Sequence, residues 1–265
     1  MVESMTGAEG AVSPAGEELW VVMPVYNEEE ALPGVLAEWL PVLRRTVGAP
    51  FKLCVLNDGS KDGTLGVLEG LARANPEIVV IDKTNSGHGQ TCVYGYRQAL
   101  TAGAPWILQI DSDGQCDASF FPALWAAQHR SPVVYGYRRR REDGFARFLI
   151  SRVLSAVIFA TARVWVRDAN VPYRLMAAAT LRDVVDAVPS DFKLANVLMS
   201  VFHQAHYGIH WCDITFRQRA GGQASVKTAA FAREGLRLRA QLAAVSRTAG
   251  ARGRLKAAPV GPEQF

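Results

Sequence analysis

The sequence has few cysteines, and none of them has the spacing by which cysteines usually bind metal. Its 265 residues include four cysteines, widely separated and without a C-x-x-C pair, which argues against a zinc site and against a disulfide framework. A long apolar run is also absent. In the most apolar stretch, residues 145–166, only ten residues lie between Arg152 and Arg163, which is too short to span a bilayer. A reducing cytoplasm fits these features, and we expect a cytoplasmic protein.

The N-terminal residues 1–18 lack the apolar core of a signal peptide or an anchor, and we expect them to be disordered. The basic charge lies at the other end of the chain. Residues 227–265 hold eight basic and two acidic residues, whereas the whole chain has a net charge of +4. We predict a basic tail, amphipathic at first and then disordered. Such a tail suits phosphate ligands or an anionic membrane, and we expect no nucleic-acid partner.

Short apolar runs alternate with helical patterns from Leu19 onward. The five runs LWVVMPV, FKLCVL, EIVVI, PWILQI and SPVVYGY are separated by four helical stretches. This alternation predicts right-handed βαβ units and a mostly parallel sheet with helices on both faces. DANVPYRLMAA predicts a return strand, residues 192–206 a helix and GIHWCDITFRQR a last strand. We expect one α/β domain over residues 19–226, followed by C-terminal amphipathic helices.

Two carboxylates and an amide directly follow the fourth predicted strand. The motif DSDGQ places Asp111, Asp113 and Gln115 at alternate positions. Ligands of open α/β sheets bind just outside the carboxyl ends of the strands, and Mg²⁺ and Mn²⁺ prefer oxygen ligands. One interpretation is a metal site that shares its ion with a diphosphate. The other is that Asp113 or Asp117 only caps the next helix.

The exits of the second and third strands favour a ligand site. NDGSKDGT places Asp58 directly after an apolar run, and NSGHGQ offers Gly87 at the next exit. Glycines in such loops let backbone N–H groups approach a ligand. The glycine-rich loop follows the third strand and not the first, which argues against the dinucleotide site of a dehydrogenase.

Six motifs, in order VMPVYNEEE, VLNDGSKDGT, NSGHGQ, DSDGQ, DANVPYR and FRQRAGGQAS, resemble those of family 2 glycosyltransferases with the GT-A fold, a Rossmann-like α/β fold. They particularly resemble the branch that includes dolichyl-phosphate mannose synthases and polyprenyl-phosphate glycosyltransferases, and the resemblance covers residues 20–226. It implies an inverting, metal-dependent transfer of a sugar from a UDP- or GDP-sugar to a polyprenyl-phosphate-type acceptor.

The resemblance also implies functions for single residues. The base and ribose of the donor are assigned to Pro24, Tyr26, Glu28 and Asp58, and Gly87 and Ser112 at two strand exits complete the predicted nucleotide site. The Mg²⁺ or Mn²⁺ ion is assigned to Asp111, Asp113 and Gln115. Substrate phosphates are assigned to Arg138, Arg152 and Arg219. Of these residues, Asp113 and Arg138 are predicted to be catalytic.

The acceptor decides whether the reaction needs a base. A hydroxyl acceptor needs one, whereas a phosphate is already ionised and needs cations to hold it. Asp191 is the best candidate for a catalytic base and Asp168 the next, and for each the alternative is a helix cap or a salt bridge. Two further functions therefore stay open: transfer to a hydroxyl of a small molecule or a glycan, and a catalytically silent subunit that binds a nucleotide-sugar.

Contact with a membrane surface is the last expectation. Residues 145–166 and the segment from Phe231 to Arg247 both combine apolar residues with arginines, a composition typical of interfacial helices. For the first segment the alternative is a helix packed on the sheet with its arginines in water. If the acceptor is a lipid phosphate, peripheral attachment to the cytoplasmic face of a membrane would bring the enzyme to it.

Overall fold

Seven strands form one sheet in the computed structural model. The structure describes residues 18–141, 155–156, 158–160, 162–186, 188 and 194–217. The strands are β1 (Leu19–Val25), β2 (Phe51–Asp58), β3 (Ile78–Lys83), β4 (Trp106–Ile110), β5 (Val133–Arg141), β6 (Tyr173–Ala177) and β7 (His210–Phe216). The α-helices are α1 (Leu32–Val47), α2 (Thr64–Ala74), α3 (His88–Thr101), α4 (Phe121–Ala127), α5 (Ala178–Val185) and α6 (Ala195–His206). A 3₁₀ turn, Ala118–Phe120, precedes α4.

The strand order is β3-β2-β1-β4-β6-β5-β7. β1 pairs in parallel with β2 and β4, β2 with β3, and β5 with β7, whereas β6 runs antiparallel to β4 and β5. Among the described strands only β6 runs in the opposite direction, so the other six end at the same edge. The prediction of a mostly parallel sheet is confirmed, as are the return strand and the last strand.

Local sequence explains two features of the helices that cover the sheet. Helix α1 has Pro33 in its first turn and ends at Gly48, whose φ of 67° is the left-handed conformation that favours glycine. Helix α3 approaches β1 and β2 closely at Gly95, where an added Cβ would lie 2.5 Å from Cγ1 of Val22. A side chain at this position would therefore push α3 away from the sheet.

The two faces of the central strands are covered by different helices. Tyr173 and Arg174 are consecutive on β6, so their side chains point to opposite faces. The Tyr173 ring centroid lies 5.6 Å from that of Trp39 in α1, whereas the Arg174 guanidinium donates to the carbonyl oxygen of Asn196 in α6 at 2.7 Å. Both faces of the sheet are thus buried, as predicted.

One helix was not predicted, and several predictions lie outside the described residues. Helix α5 follows β6 directly and buries Leu181, Val184 and Val185, a spacing that marks one face of a helix. The predictions for residues 1–17 and for the tail after residue 217 concern residues that the structure does not describe. Within the described part of the chain, no helix combines the length and the apolar character that crossing a bilayer requires.

Candidate functional site

The loops after β1 and β2 are tied together by hydrogen bonds. The backbone N–H of Asn27 donates to Ser60 Oγ at 3.0 Å, and Asn27 Oδ1 accepts from the backbone N–H of Lys61 at 2.8 Å. The backbone N–H of Glu28 donates to Thr64 Oγ1 at 2.9 Å. Asn27 has a φ of 53°, a left-handed conformation that asparagine tolerates better than most residues. These hydrogen bonds therefore hold the two loops together at the edge of the sheet where the strands end.

The predicted base and ribose residues lie in these two loops or in the strand ends that lead into them. Pro24 is on β1 beside Leu56 of β2. Tyr26 is 39% exposed and Glu28 is 5% exposed, so the tyrosine ring is accessible while the glutamate is buried. The structure brings the predicted set together, and its contact with a nucleotide stays a prediction.

Asp58 has a function that the sequence analysis did not predict. Its carboxylate accepts from Lys83 Nζ at 2.5 Å, from the backbone N–H of Ser86 at 2.8 Å and from that of Gly87 at 2.9 Å. Burial opposes ionisation, but the hydrogen bonds, led by that from Lys83, outweigh it and lower the pKa of Asp58. Asp58 therefore holds the loop after β3 in place, and Gly87 serves this contact through its backbone.

The start of α3, directly after this loop, reaches the DSDGQ motif. His88 Nε2 lies 2.8 Å from Asp111 Oδ1, and the same oxygen accepts from Gln109 Nε2 at 3.0 Å. Partial burial would lower the pKa of His88, but its contacts with Cys92 and with the Asp111 carboxylate raise the pKa of this half-exposed imidazole above its ordinary value. His88 has no role in the sequence analysis, although its place between two glycines at a strand exit was a usable signal.

The rest of the motif is tied to the end of β7. Asp113 Oδ1 accepts from the backbone N–H of Gln115 at 3.1 Å. The side-chain amide of Gln115 donates to the carbonyl oxygen of Arg217 at 2.9 Å, and the Arg217 N–H donates back to the Gln115 carbonyl at 3.2 Å. Ser112 is buried. The motif is thus a fixed loop between two strand exits.

Asp117 is a helix cap, as one of the two interpretations of the motif proposed. Its side chain accepts from the backbone N–H of Ser119 at 2.8 Å, at the start of the 3₁₀ turn. It also forms an ion pair with Arg217 at 2.6 Å, and Arg217 reaches Glu38 of α1 at 2.8 Å. Arg217 was missed in the sequence, although it lies in the FRQR motif.

The donor set suits a hard divalent cation that shares its shell with a diphosphate. Asp111 and Asp113 are partly exposed at the strand exit and supply carboxylate oxygens. The side-chain nitrogen of Gln115 donates to the carbonyl oxygen of Arg217. The other side-chain amide atom of Gln115 is an oxygen, the kind of ligand that such a cation prefers. Within the described residues, no group of three His, Cys, Asp or Glu residues is placed to hold a metal ion. A substrate would therefore have to supply part of the shell.

Arg138 is held by Asp168 in a two-point ion pair. Its Nε and Nη2 atoms lie 2.6 Å from the two carboxylate oxygens, and both side chains are largely buried, at 9% and 5% exposure. The guanidinium lies 5.0 Å from the centroid of the Phe216 ring. Asp168 is thus a salt-bridge partner in this structure, and the binding of a phosphate by Arg138 stays a prediction. Arg152, Asp191 and Arg219 lie outside the described residues.

A mostly parallel α/β sheet with polar loops at its strand exits is the arrangement of GT-A glycosyltransferases, and one family of known proteins matches more than half of this chain. Residues 20–188 match the family described as Glycosyl transferase family 2. The chain belongs to this family, and the predicted family and GT-A fold are confirmed.

Two curated relatives are named undecaprenyl-phosphate 4-deoxy-4-formamido-L-arabinose transferase. The one from Proteus mirabilis (strain HI4320) is 30% identical over 171 residues, which are 63% of this chain and 50% of the relative. The one from Pectobacterium carotovorum subsp. carotovorum (strain PC1) is 31% identical over 173 residues, again 63% of this chain and 50% of the relative. The chain thus spans about half the length of the curated relatives it matches.

Solved structures share the fold at low sequence identity. Glucosyl-3-phosphoglycerate synthase from Mycobacterium tuberculosis, in complex with Mn²⁺, UDP-glucose and phosphoglyceric acid, matches with a TM-score of 0.63 and 16% identity, over 87% of this chain and 80% of that chain. TarS from S. aureus matches with a TM-score of 0.52 and 22% identity, over 75% of this chain and 59% of that chain. Both likenesses support the fold.

Proposed function

We propose that this protein is an inverting, metal-dependent glycosyltransferase that moves a sugar from a UDP- or GDP-sugar to a polyprenyl-phosphate-type acceptor. The observation that carries the proposal is the meeting of four strand exits: the tied loops after β1 and β2, the loop after β3 and the DSDGQ motif after β4. The names of the curated relatives support the acceptor class. The Mn²⁺ and UDP-glucose bound by a protein of the same fold support the donor class.

The proposed reaction displaces a nucleoside diphosphate from the anomeric carbon of the sugar. Asp111, Asp113 and Gln115 would hold a Mg²⁺ or Mn²⁺ ion, which when bound neutralises charge that develops on the leaving diphosphate. The β1 and β2 loops would orient the base and ribose. Arg138, whose planar fork Asp168 already fixes, would help to hold a substrate phosphate. A single displacement forms no covalent enzyme intermediate and inverts the anomeric configuration.

An acceptor phosphate would explain the arginines assigned to the site, Arg138, Arg152 and Arg219, without a catalytic base. A phosphate is ionised at neutral pH, so cations that hold it suffice. Asp168, the second candidate for a base, is engaged with Arg138. If the acceptor were instead a hydroxyl, Asp191 would be the residue to test. The silent-subunit alternative would require binding of a nucleotide-sugar without transfer to any acceptor.

The nucleotide and the metal are tested together with Asp113→Ala. We expect wild-type protein to bind UDP or GDP more tightly with Mn²⁺ than with EDTA in isothermal titration calorimetry. Asp113→Ala removes a proposed metal ligand at a partly exposed strand exit and no core packing. We therefore expect it to lose the Mn²⁺-dependent gain in affinity and to abolish transfer to undecaprenyl phosphate, with an unchanged melting temperature.

The alternative outcomes of this experiment are distinct. Equal Mn²⁺-dependent affinity in Asp113→Ala and wild type would contradict the metal assignment. Transfer to a hydroxyl acceptor but not to undecaprenyl phosphate would select the first alternative function. Binding without transfer to either acceptor would select the second. Asp213→Ala is a matched control, because it also removes a carboxylate, and this exposed residue of β7 pairs with Arg139 and has no assigned role in the site.

We also propose peripheral contact with anionic membranes. Phe159 and Trp165 are 45% and 49% exposed, and their ring centroids lie 6.1 Å apart. Arg163 and Arg167 are exposed beside them. Exposed aromatic rings next to arginines suit the boundary between lipid headgroups and acyl chains. Each arginine near an anionic surface contributes on the order of 1 kcal/mol.

Vesicle co-sedimentation tests this contact. We expect the full chain to bind vesicles that contain phosphatidylglycerol at low ionic strength and to be released as salt screens the charge. The double variant Phe159→Ser with Trp165→Ser should bind more weakly, and truncation after Val226 should abolish binding. Tyr94→Ser is the control, since Tyr94 is similarly exposed but lies on α3. If the full chain does not bind such vesicles at low salt, the result would favour the hypothesis of a soluble hydroxyl acceptor.

A further inference from the structure

A row of buried polar side chains crosses the middle of the sheet. Gln109 on β4 pairs with Arg174 on β6, and Arg174 pairs with Tyr135 on β5. All three side chains are fully buried. Residues directly opposite one another in a ladder point to the same face, so these three lie side by side under α3 and α6. Buried polar groups cost free energy unless they are hydrogen-bonded, and this row therefore needs an explanation.

The hydrogen bonds of Gln109 connect this row to the candidate metal ligand. Gln109 Nε2 donates to Asp111 Oδ1 at 3.0 Å, and Gln109 Oε1 accepts from Asn196 Nδ2 at 3.5 Å. Asn196 Oδ1 in turn accepts from the Tyr96 hydroxyl at 3.3 Å. The chain Tyr96, Asn196, Gln109, Asp111 thus runs from α3 through α6 and β4 to the strand exit. Every donor along it points toward Asp111.

The direction of this chain fixes which atom Gln109 presents to Asp111. An amide can offer a carboxylate either its N–H, which attracts, or its oxygen, which repels. Asn196 settles the choice, because it gives its own N–H to Gln109 Oε1. The backbone of Asn196 is itself held, since its carbonyl oxygen accepts from Arg174 at 2.7 Å and from Ser200 Oγ at 2.9 Å. The orientation of Gln109 is therefore set by buried protein partners.

We infer that Gln109, oriented by Asn196 and Tyr96, is a positioning residue that fixes the Asp111 carboxylate for the divalent cation. The inference rests on the proposed function. Gln109 reaches Asp111 from inside the sheet while His88 reaches the same oxygen from the start of α3, so the carboxylate is held from two directions. Partners of this kind orient metal ligands, and their loss typically lowers metal affinity by about 10- to 100-fold.

The test compares two variants of the same buried row. Gln109→Met keeps an unbranched side chain of similar size but removes the donor to Asp111. Tyr135→Phe keeps the ring on which the Arg174 guanidinium packs at 4.7 Å, but removes a hydroxyl that lies 2.7 Å from His203 Nδ1. The hydrogen bond between Tyr135 and His203 is not part of the chain that runs from Tyr96 through Asn196 and Gln109 to Asp111. For each protein, UDP and GDP are titrated by calorimetry with Mn²⁺ and with EDTA, and the ratio of the two dissociation constants is the readout.

We expect Gln109→Met to lower the Mn²⁺-dependent gain in nucleotide affinity by about tenfold or more, with affinity in EDTA unchanged. Tyr135→Phe should lower the melting temperature and leave the gain unchanged. Tyr96→Phe is a smaller change that keeps the core filled, and it should reduce the Mn²⁺-dependent gain in affinity by less than Gln109→Met does. If Gln109→Met does not fold, Tyr96→Phe is used to test the inference.

Three results would overturn the inference, and one of them also separates it from the proposed function. An unchanged gain in Gln109→Met, or in Tyr96→Phe where that variant serves, means that the chain does not act on the metal. An equal loss in Tyr135→Phe means general loosening of the row. If wild type shows no Mn²⁺-dependent binding, the proposed function itself fails. If wild type shows such binding and Gln109→Met shows it equally, only the inference about Gln109 fails.

Discussion

The two faces of the central strands are built from different chemistry. On the face of α1 and α4, Tyr173 packs against Trp39, and Trp39 against Phe121, with ring centroids 5.6 and 6.2 Å apart. On the face of α3 and α6, the neighbouring residue Arg174 donates to three carbonyl oxygens at 2.6 to 3.0 Å. One face is packed mainly by hydrocarbon and aromatic rings, and the other contains a layer of hydrogen-bonded polar groups.

The difference separates stability from positioning. Apolar burial stabilises the fold without requiring a particular direction for each group. A buried hydrogen bond contributes little net free energy, but it fixes direction, and leaving it unmade is costly. The polar face is the one whose chain of hydrogen bonds ends at Asp111. We therefore regard the face of α1 and α4 as the main source of stability and the face of α3 and α6 as the support of the site.

The largest expected effect on stability comes from a cavity on the apolar face. Leu43 is fully buried in α1, and a Leu→Ala change at such a site typically costs about 2–5 kcal/mol. We expect Leu43→Ala to lower the free energy of unfolding by this amount in urea titrations. The Mn²⁺-dependent gain in nucleotide affinity should be unchanged at temperatures where the variant is folded.

Gln109→Met is the natural partner for this variant. If stability and positioning belong to different faces, Leu43→Ala changes the unfolding free energy and Gln109→Met changes the metal-dependent affinity. A folded Leu43→Ala protein that binds UDP or GDP with the metal-dependent affinity of Gln109→Met would break the comparison.

The strand and helix pattern could be predicted because it depends on local sequence. Each of the first five strands is an apolar run that ends in a polar loop, and parallel strands place those loops at one edge. The polar row could not be predicted in this way. Gln109 lies inside the run PWILQI and Arg174 inside VPYRLMAA, and in one sequence nothing shows that Asn196, 87 residues after Gln109, packs beside both.

The sequence predicted which residues lie at the site better than it predicted the contacts that these residues make. Asp58, Asp111 and Gln115 were named from their motifs, and the structure places them at the same sheet edge. That Asp58 holds the loop after β3, and that Gln115 binds the end of β7, depends on loops that come together only in the folded chain. The place of His88 between two glycines at a strand exit could have put this residue near the site, but its contact with Asp111 depends on the folded chain.

The smallest expected effect sharpens the comparison through pH. His203 in α6 is fully buried beside the Tyr135 hydroxyl, and burial lowers its pKa from 6.5 to about 3. Below pH 6.5 the unfolded chain takes up a proton at this residue that the folded chain refuses. Stability should therefore fall as the pH drops from 6.5 toward 3, by at most about 1.4 kcal/mol per pH unit.

His203→Gln isolates this contribution, because glutamine does not titrate. The variant should be less stable than wild type near pH 7.5, where the neutral imidazole is compatible with burial. The difference between the two unfolding free energies, measured in urea at pH 7.5, 6.0 and 5.0, should shrink as the pH falls, since only wild type bears the cost of excluding the proton. Parallel pH profiles would show that His203 takes up a proton in the folded protein, and that the face of α3 and α6 tolerates a charge that burial is expected to exclude.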